Sequence, residues 1–470
     1  MSVIALLLAI SAGRASTPSM VHITLGDRFL DDRSPIFYRV GFGLKGGEES
    51  EFGDFSVEVH EGLGGHRRFS VDCRQYTSPH PLTYSRAFCF AEIDKLSDPS
   101  SFFYSIFKGK TVVKGPFSFS SDLLTSLSPR IVTFGDHDLS TPGLSLITAL
   151  KNAKVTGKYL RTEEKPSYDL IVHLGDIAYD IQDQNGEKGD LYFEAMEEVF
   201  TQTPVIITAG NHDMYDRGRM MNARLSMPGC RAIDDNNLTG FKVQNTFWLA
   251  LNLDYFIRLQ PDERVQTLKK IERMLEDSKL RGDSHRLFLS HRPLFCGDFE
   301  FFRPTSCLSF TVKLQDVIQL LQKYDVRFLI AGHIHYYQRL KGASLFEPEA
   351  QRNSGASFVV GTAGNGYFFG KTERTFNPNV VKTLDESVAY MEVTVGESLQ
   401  FRLKGVDGEE LDLVEFLARS SSVGIFVLRV IGFIWLFSLV YLWLAVKNWN
   451  ENKLYAGVEL EIGRRFPMAV

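Results

Sequence analysis

Apolar and polar residues alternate in short runs through the first quarter of the chain. Residues 21–25, 36–42, 55–60, 68–76, 85–93, 102–107 and 117–119 read as strands separated by Gly, Pro, Asp and Ser. About seven short strands at this spacing predict an antiparallel β-sandwich over residues 20–124. After Ser128-Pro129 the rhythm changes. Apolar strands at 130–134, 170–174, 204–208, 286–290 and 326–331 alternate with helical spacing at 143–160, 190–201, 261–279 and 312–324. That alternation predicts an α/β layered domain over residues 130–407, with two β-sheets inside and helices outside.

Two further apolar stretches lie near the chain ends. Residues 3–10 with the small residues up to Ala15 read as a signal peptide over 1–15. Residues 423–446 carry one charge, Arg429. The uncharged part, 430–446, spans roughly 25 Å as a helix at about 1.5 Å per residue, and 425–428 complete the length of a bilayer core. Trp435, Tyr441 and Trp443 suit a transmembrane helix. The expected protein is a type I single-pass one, with a lumenal or extracellular body and a cytosolic tail at 447–470. In that tail Tyr455-Ala456-Gly457-Val458 fits the tyrosine–x–x–apolar pattern of endocytic and lysosomal sorting.

A length of 470 residues with 44 % hydrophobic content fits two globular parts plus such segments. The formal charge of −5 gives no electrostatic footprint for nucleic acid. A phosphorylated small-molecule or protein substrate would therefore be held by metals or a few basic side chains. Five cysteines, Cys73, Cys89, Cys230, Cys296 and Cys307, suit an oxidising compartment. Short loops favour the pairs Cys73–Cys89 and Cys296–Cys307, with Cys230 free or paired to another chain. Asn237-Leu238-Thr239 is a glycosylation sequon, which fits a surface loop.

The polar motifs sit where apolar strands end, and sites in α/β sheets form at such carboxyl ends. Asp136, Asp176, Tyr179, Asn211, His291, His333 and His335 suffice for two centres of about four ligands each if one carboxylate is shared. No cysteine belongs to the set, which argues against structural zinc. His173, inside the second of these strands, reads as a core residue. Arg292 and Arg339 flank the motifs and read as local salt-bridge partners.

The ordered set Gly135-Asp136, Gly175-Asp176-Ile177-Ala178-Tyr179, Gly210-Asn211-His212-Asp213, Ser290-His291-Arg292-Pro293 and Gly332-His333-Ile334-His335 resembles the metallophosphoesterase signature. Tyr179 narrows the resemblance to the purple acid phosphatases, whose longer members begin with a fibronectin-type β-sandwich. The stretches 291–296 and Gly361-Thr362-Ala363-Gly364 add to it. The resemblance implies Fe(III) on Asp136, Tyr179 and His335, and a divalent Fe, Zn or Mn on Asn211, His291 and His333. Asp176 would bridge the two, and His212 would serve the leaving alkoxide as catalytic acid. It implies hydrolysis of phosphate monoesters, with a metal-bound hydroxide attacking phosphorus.

One position departs from the family. Asp136-His137-Asp138 stands where Asp-x-Gly is usual. Asp138 is either a residue beside the first metal, ligating it or its ligands, or a solvated turn residue. The rival functions are a phosphodiesterase or nucleotide pyrophosphatase on the same metals, and a membrane-bound binding protein that keeps the fold without turnover.

Overall fold

The computed structural model describes residues 17–417, apart from 27–36, 45–53, 62–64, 94–95, 97–100, 121–122, 124–125, 157–163, 167, 226, 228–236, 298–306, 308–311, 343–354, 366–378 and 386. Its centre is the parallel set Arg130–Phe134, Leu170–His173 and Val205–Ile207, in register Ile171↔Val132 and Ile171↔Val205. These strands are almost wholly apolar because helices cover one face and a second sheet the other. Antiparallel Ala389–Val395, Ser398–Gly405 and Glu410–Leu417 extend one side.

The second sheet has Thr246–Leu251, His285–Ser290, Phe328–Ala331 and Ala356–Val360 in parallel. Alternation along its strands assigns the two faces. Leu287, Leu289, Ile330 and Phe358 share a core with the first sheet, where Phe358 stacks on Phe401 at 4.5 Å. Phe288, Leu329, Phe247 and Leu249 pack outward with the buried stripe of helices Pro261–Leu280 and Gln315–Lys323. The expected layered α/β architecture is what the chain forms.

The strand-rich N-terminal part is all-β, as expected, and is joined to this core edge to edge. Ser19–Gly26 pairs parallel with Val205–Ile207 at Thr24↔Val205. Phe37–Leu44, Ser85–Ile93 and Asp72–Thr77 follow, giving one ten-stranded sheet among the described residues. The remaining strands, His66–Ser70, Phe55–His60, Ser101–Lys108 and Thr111–Ser120, form a four-stranded sheet. Aromatic contacts join the two layers: Tyr38 meets Phe119 at 4.7 Å, and Phe42 meets Phe55 at 5.7 Å.

Two expected elements differ. The run 68–76 is two strands, His66–Ser70 and Asp72–Thr77, which enter different sheets. The helix expected to reach residue 160 is Thr141–Asn152, and the chain then enters the hairpin Lys154–Thr156 with Glu164–Pro166. Ala153 leaves the helical region with ψ 85°. β-Branched Val155 and Thr156 then favour the extended chain over the apolar spacing that suggested more helix.

Both expected disulfides form, Cys73–Cys89 across one antiparallel strand pair and Cys296–Cys307 beyond the fourth motif. They fit a secreted or lumenal protein. Among the described residues no helix is long and apolar enough to cross a membrane. The signal peptide at 1–15, the span at 423–446, the tail at 447–470 and Cys230 lie outside the described residues.

A buried charge cluster fastens the N-terminal strands to helix Glu187–Phe200. Asp190 in that helix pairs with Arg86 and with Arg224 Nη2 at 3.0 Å, and Tyr84 OH donates to its Oδ1 at 2.8 Å. Both guanidinium groups are buried, so removing their shared carboxylate strands two charges in low dielectric. Asp190→Ala is therefore expected to cost about 3–5 kcal/mol. Thermal or denaturant melting tests this, and a variant as stable as the wild type would contradict it.

Candidate metal centre

Each motif places its polar residue by leaving regular structure at a strand end. Asp136, Asp176, Tyr179 and His333 have φ of 63°, 53°, 50° and 70°, in the left-handed region that non-glycine residues rarely adopt. Such strain persists where the surroundings over-determine the backbone. Here the two carboxylate turns hold each other: Asp136 N donates to Gly175 O at 3.0 Å, His137 N to Asp176 O at 3.2 Å, and Ala178 N to His137 O at 2.9 Å. Asp213 completes the frame by accepting from Asp176 N, Ile177 N and Gly210 N at 2.8, 3.0 and 2.8 Å. Two motif glycines clear room for the acids. A Cβ on Gly210 would lie 2.2 Å from Asp176 Oδ1, and one on Gly332 would lie 2.5 Å from Asp136 Oδ2.

The seven predicted ligand residues fall into two adjoining groups. In the first, Tyr179 OH donates to Asp136 Oδ1 at 2.9 Å, His335 Nε2 lies 3.4 Å from the same oxygen, and Tyr179 OH also meets His335 Nε2. In the second, ligand atoms of Asp176, His291 and His333 lie within 4.8 Å of one another. Asn211 Oδ1 is 3.1 Å from His291 Nε2. Asp136 Oδ2 is held by His333 N at 2.7 Å, which ties the groups together.

His291 tests whether a cation fits. Its Nδ1 hydrogen-bonds Leu174 O at 2.9 Å, and a carbonyl can only accept. The neutral ring then turns the Nε2 lone pair toward Asn211 Oδ1 at 3.1 Å and Asp176 Oδ2 at 3.3 Å. Three acceptors converging without a donor suit a metal ion, and the backbone bond at Nδ1 is the usual support of a ligating histidine. Without a cation a proton must fill that role. Burial lowers the pKa of His291, but the charge and hydrogen bond of Asp176 raise it to about 9. Asp176 is held below the usual carboxylate range despite its burial, chiefly by His291. The Tyr179 phenol is pushed well up by burial and then by the Asp136 and Asp176 charges, so nothing but a strong cation would ionise it.

The third predicted group, His212, stands at the mouth with its side chain 37 % exposed. Its backbone N donates to Asp176 Oδ1 at 2.9 Å, and its Nδ1 lies 3.0 Å from Asp180 Oδ1. Asp180 is a site residue that the motif reading missed, although it directly follows Tyr179. Arg292 is a salt-bridge partner, as expected, and it also reaches the site. Its Nε donates to both oxygens of Asp254 at 2.8 and 2.9 Å, and its Nη1 to His333 Nε2 at 2.7 Å. Arg339 is the local salt-bridge partner expected, on Asp412 at 2.8 Å.

Asp138 makes a turn contact. Its Oδ1 accepts from Ser140 N at 2.9 Å, at the entry to helix Thr141–Asn152. The left-handed residue of that loop is Asp136 and not Asp138, so the missing glycine leaves no strain there. Asn237 corrects the open-loop expectation: it is 7 % exposed and its Oδ1 accepts from Asn252 Nδ2 at 2.9 Å. A glycan on that side chain would have to open this packing.

Residues 128–337 match the family model of calcineurin-like phosphoesterases. The chain carries a calcineurin-like phosphoesterase domain. Human acid phosphatase type 7 is 24 % identical over 228 residues, 45 % of this chain and 48 % of the relative. The Arabidopsis thaliana protein named probable inactive purple acid phosphatase 27 is 22 % identical over 402 residues, 76 % of this chain and 65 % of its own. The chain spans about half the length of the mammalian acid phosphatases it matches. In fold it resembles a purple acid phosphatase from yellow lupin (Lupinus luteus) seeds. The TM-score there is 0.68 at 16 % identity, covering 86 % of this chain and 74 % of the lupin one. A purple acid phosphatase-like fold implies a binuclear metal centre.

The proton on His291 gives the centre a pH signature. Its folded pKa of about 9 exceeds the ordinary imidazole value of 6.5, so at pH 7 the chelated protein holds a proton that a cation must displace. Binding of a divalent cation at the His291 group alone is expected to release about one proton, and apparent affinity to rise with pH up to about 9. Titration calorimetry in buffers of different protonation enthalpy reads that number, and binding without proton release would contradict it.

Proposed function

We propose that the chain is a purple acid phosphatase, a metal-dependent hydrolase of phosphate monoesters. The observation that carries this reading is Tyr179, whose hydroxyl meets both Asp136 and His335. A phenol, a carboxylate and an imidazole together suit a hard trivalent cation such as Fe(III). Asn211, His291 and His333 would take the divalent partner, Fe, Zn or Mn, with Asp176 between the two. When bound, such a pair polarises phosphoryl oxygens and acidifies a water near neutral pH.

The chain's own residues set the rest. Asp180 accepts from His212 Nδ1 and so leaves Nε2, 4.0 Å from Asp176 Oδ2, to hold a proton for the leaving-group oxygen. Arg292, fixed by Asp254, keeps His333 in orientation. The two disulfides support a lumenal or extracellular setting, and a membrane tether through 423–446 rests on the sequence alone. Retention of the full chain in carbonate-washed membranes would be expected of that tether, and release would contradict it.

A silent site is the second reading, favoured by the name of the Arabidopsis relative, probable inactive purple acid phosphatase 27. Steady-state assays on phosphate monoesters and diesters separate a phosphatase from a phosphodiesterase and from a protein without turnover. Iron-loaded protein is expected to absorb in the visible through a tyrosinate-to-Fe(III) transition, and Tyr179→Phe to lose that band. A colourless, iron-free but active protein would contradict the assignment. His212→Ala is expected to lower kcat about a hundredfold or more on alkyl phosphates. The loss should be much smaller on a nitrophenyl ester, whose leaving group needs no proton. Equal losses on both would remove the acid role.

A further inference from the structure

Behind the two carboxylate turns lies a polar chain that the proposed reaction does not use. His137, His173 and Tyr192 are each 0 % exposed. Gly175 N donates to His173 Nδ1 at 3.1 Å, His173 Nε2 lies 3.1 Å from Tyr192 OH, that hydroxyl lies 2.6 Å from His137 Nδ1, and His137 Nε2 lies 2.9 Å from Gly143 O.

The end groups determine every proton between them. An amide N–H only donates, so His173 Nδ1 is an acceptor and the ring carries its proton on Nε2. A carbonyl only accepts, so His137 carries a proton on Nε2. His173 Nε2–H therefore donates to the Tyr192 oxygen, and the Tyr192 hydroxyl donates to His137 Nδ1. With both rings neutral, each donor has one acceptor and no ring nitrogen is left over. A protonated His137 would instead turn a second donor on the tyrosine oxygen and leave the tyrosine hydrogen without a partner. Phe134 seals the chain, with its ring 5.5 Å from that of His137 and 4.8 Å from that of His173.

We propose that His137, Tyr192 and His173 are positioning residues, a brace that fixes the spacing of the Asp136 and Asp176 turns. His173 holds the turn entering Asp176 at Gly175 N. His137 directly follows Asp136 and ties that turn to the first turn of helix Thr141–Asn152. Tyr192 joins them from helix Glu187–Phe200, the helix that Asp190 anchors to Arg86 and Arg224. The inference rests on the metal-centre reading: the brace sets how well the two acids bind the cation pair.

The test uses Tyr192→Phe, which removes one oxygen from a ring whose packing stays, and the double variant His137→Phe/Tyr192→Phe, which also removes the polar ring stranded on the first turn. Cation affinity and stoichiometry are measured by competition with a chelator of known affinity, using Mn(II) and Zn(II), alongside melting of the chelated proteins. Supporting groups of metal ligands commonly change affinity 10–100-fold, so both variants are expected to bind at least about tenfold more weakly. The double variant should regain melting temperature over the single one without regaining affinity. Wild-type affinity in either folded variant would overturn the brace. Affinity that returns in step with stability would also overturn it, leaving a core role alone. If the wild type itself binds no pair of cations, the metal-centre reading fails instead. Should neither variant fold, nitrogen-15 histidine spectra of the wild type decide: both rings are expected as neutral Nε2–H tautomers, and an Nδ1–H tautomer or an imidazolium at either would overturn the brace.

Discussion

Two carboxylates, Asp136 and Asp176, are buried side by side at the ends of adjacent parallel strands, and the surrounding structure compensates their charge. An ion removed from water costs several kcal/mol unless it is paired and hydrogen-bonded. Asp176 takes an amide from His212 and the imidazole of His291, while Asp136 takes the amide of His333 and the hydroxyl of Tyr179. These partners come from four loops distant in sequence. The acids thus act as the point on which the loops converge, and the same negative charge makes the point a cation site. The left-handed turns that carry them are tolerated because Asp213 and the paired backbones hold them.

Helix Glu187–Phe200 links this site to the N-terminal strands. Its Asp190 sits between Arg86 and Arg224, its Tyr192 reaches the histidines behind the acids, and its apolar residues pack against Ser19–Gly26. The N-terminal strands share a sheet with the strands that carry the motifs and supply a charged partner to the helix behind the site. Among the described residues, none of those converging at the candidate site comes from these strands.

Much of this was legible in the chain. Strand ends followed by Gly-Asp, Gly-Asn-His, Ser-His-Arg-Pro and Gly-His-x-His specify where polar groups emerge, and the seven residues named from these motifs do converge. What was hidden depends on tertiary contact. Asp254 lies 38 positions from Arg292, so nothing local announced their pairing. Tyr192 belongs to no motif in the sequence, and His173 reads as core. Both are buried, and only the fold reveals that their polar atoms meet. Asn237 fits a sequon in sequence, and its burial follows from Asn252, 15 residues on. Apolar spacing overextended the helix after Thr141, because spacing does not register the β-branched pair that turns the chain into a hairpin.

Under the proposed function, this convergence holds two cations with Asp176 between them. Anomalous diffraction from crystals of the iron- and zinc-loaded protein, collected at both metal edges, tests it most directly. Two peaks about 3.5–4 Å apart are expected, the iron peak beside Asp136, Tyr179 and His335 and the zinc peak beside Asn211, His291 and His333. A single peak, or two that Asp176 cannot reach together, would contradict it.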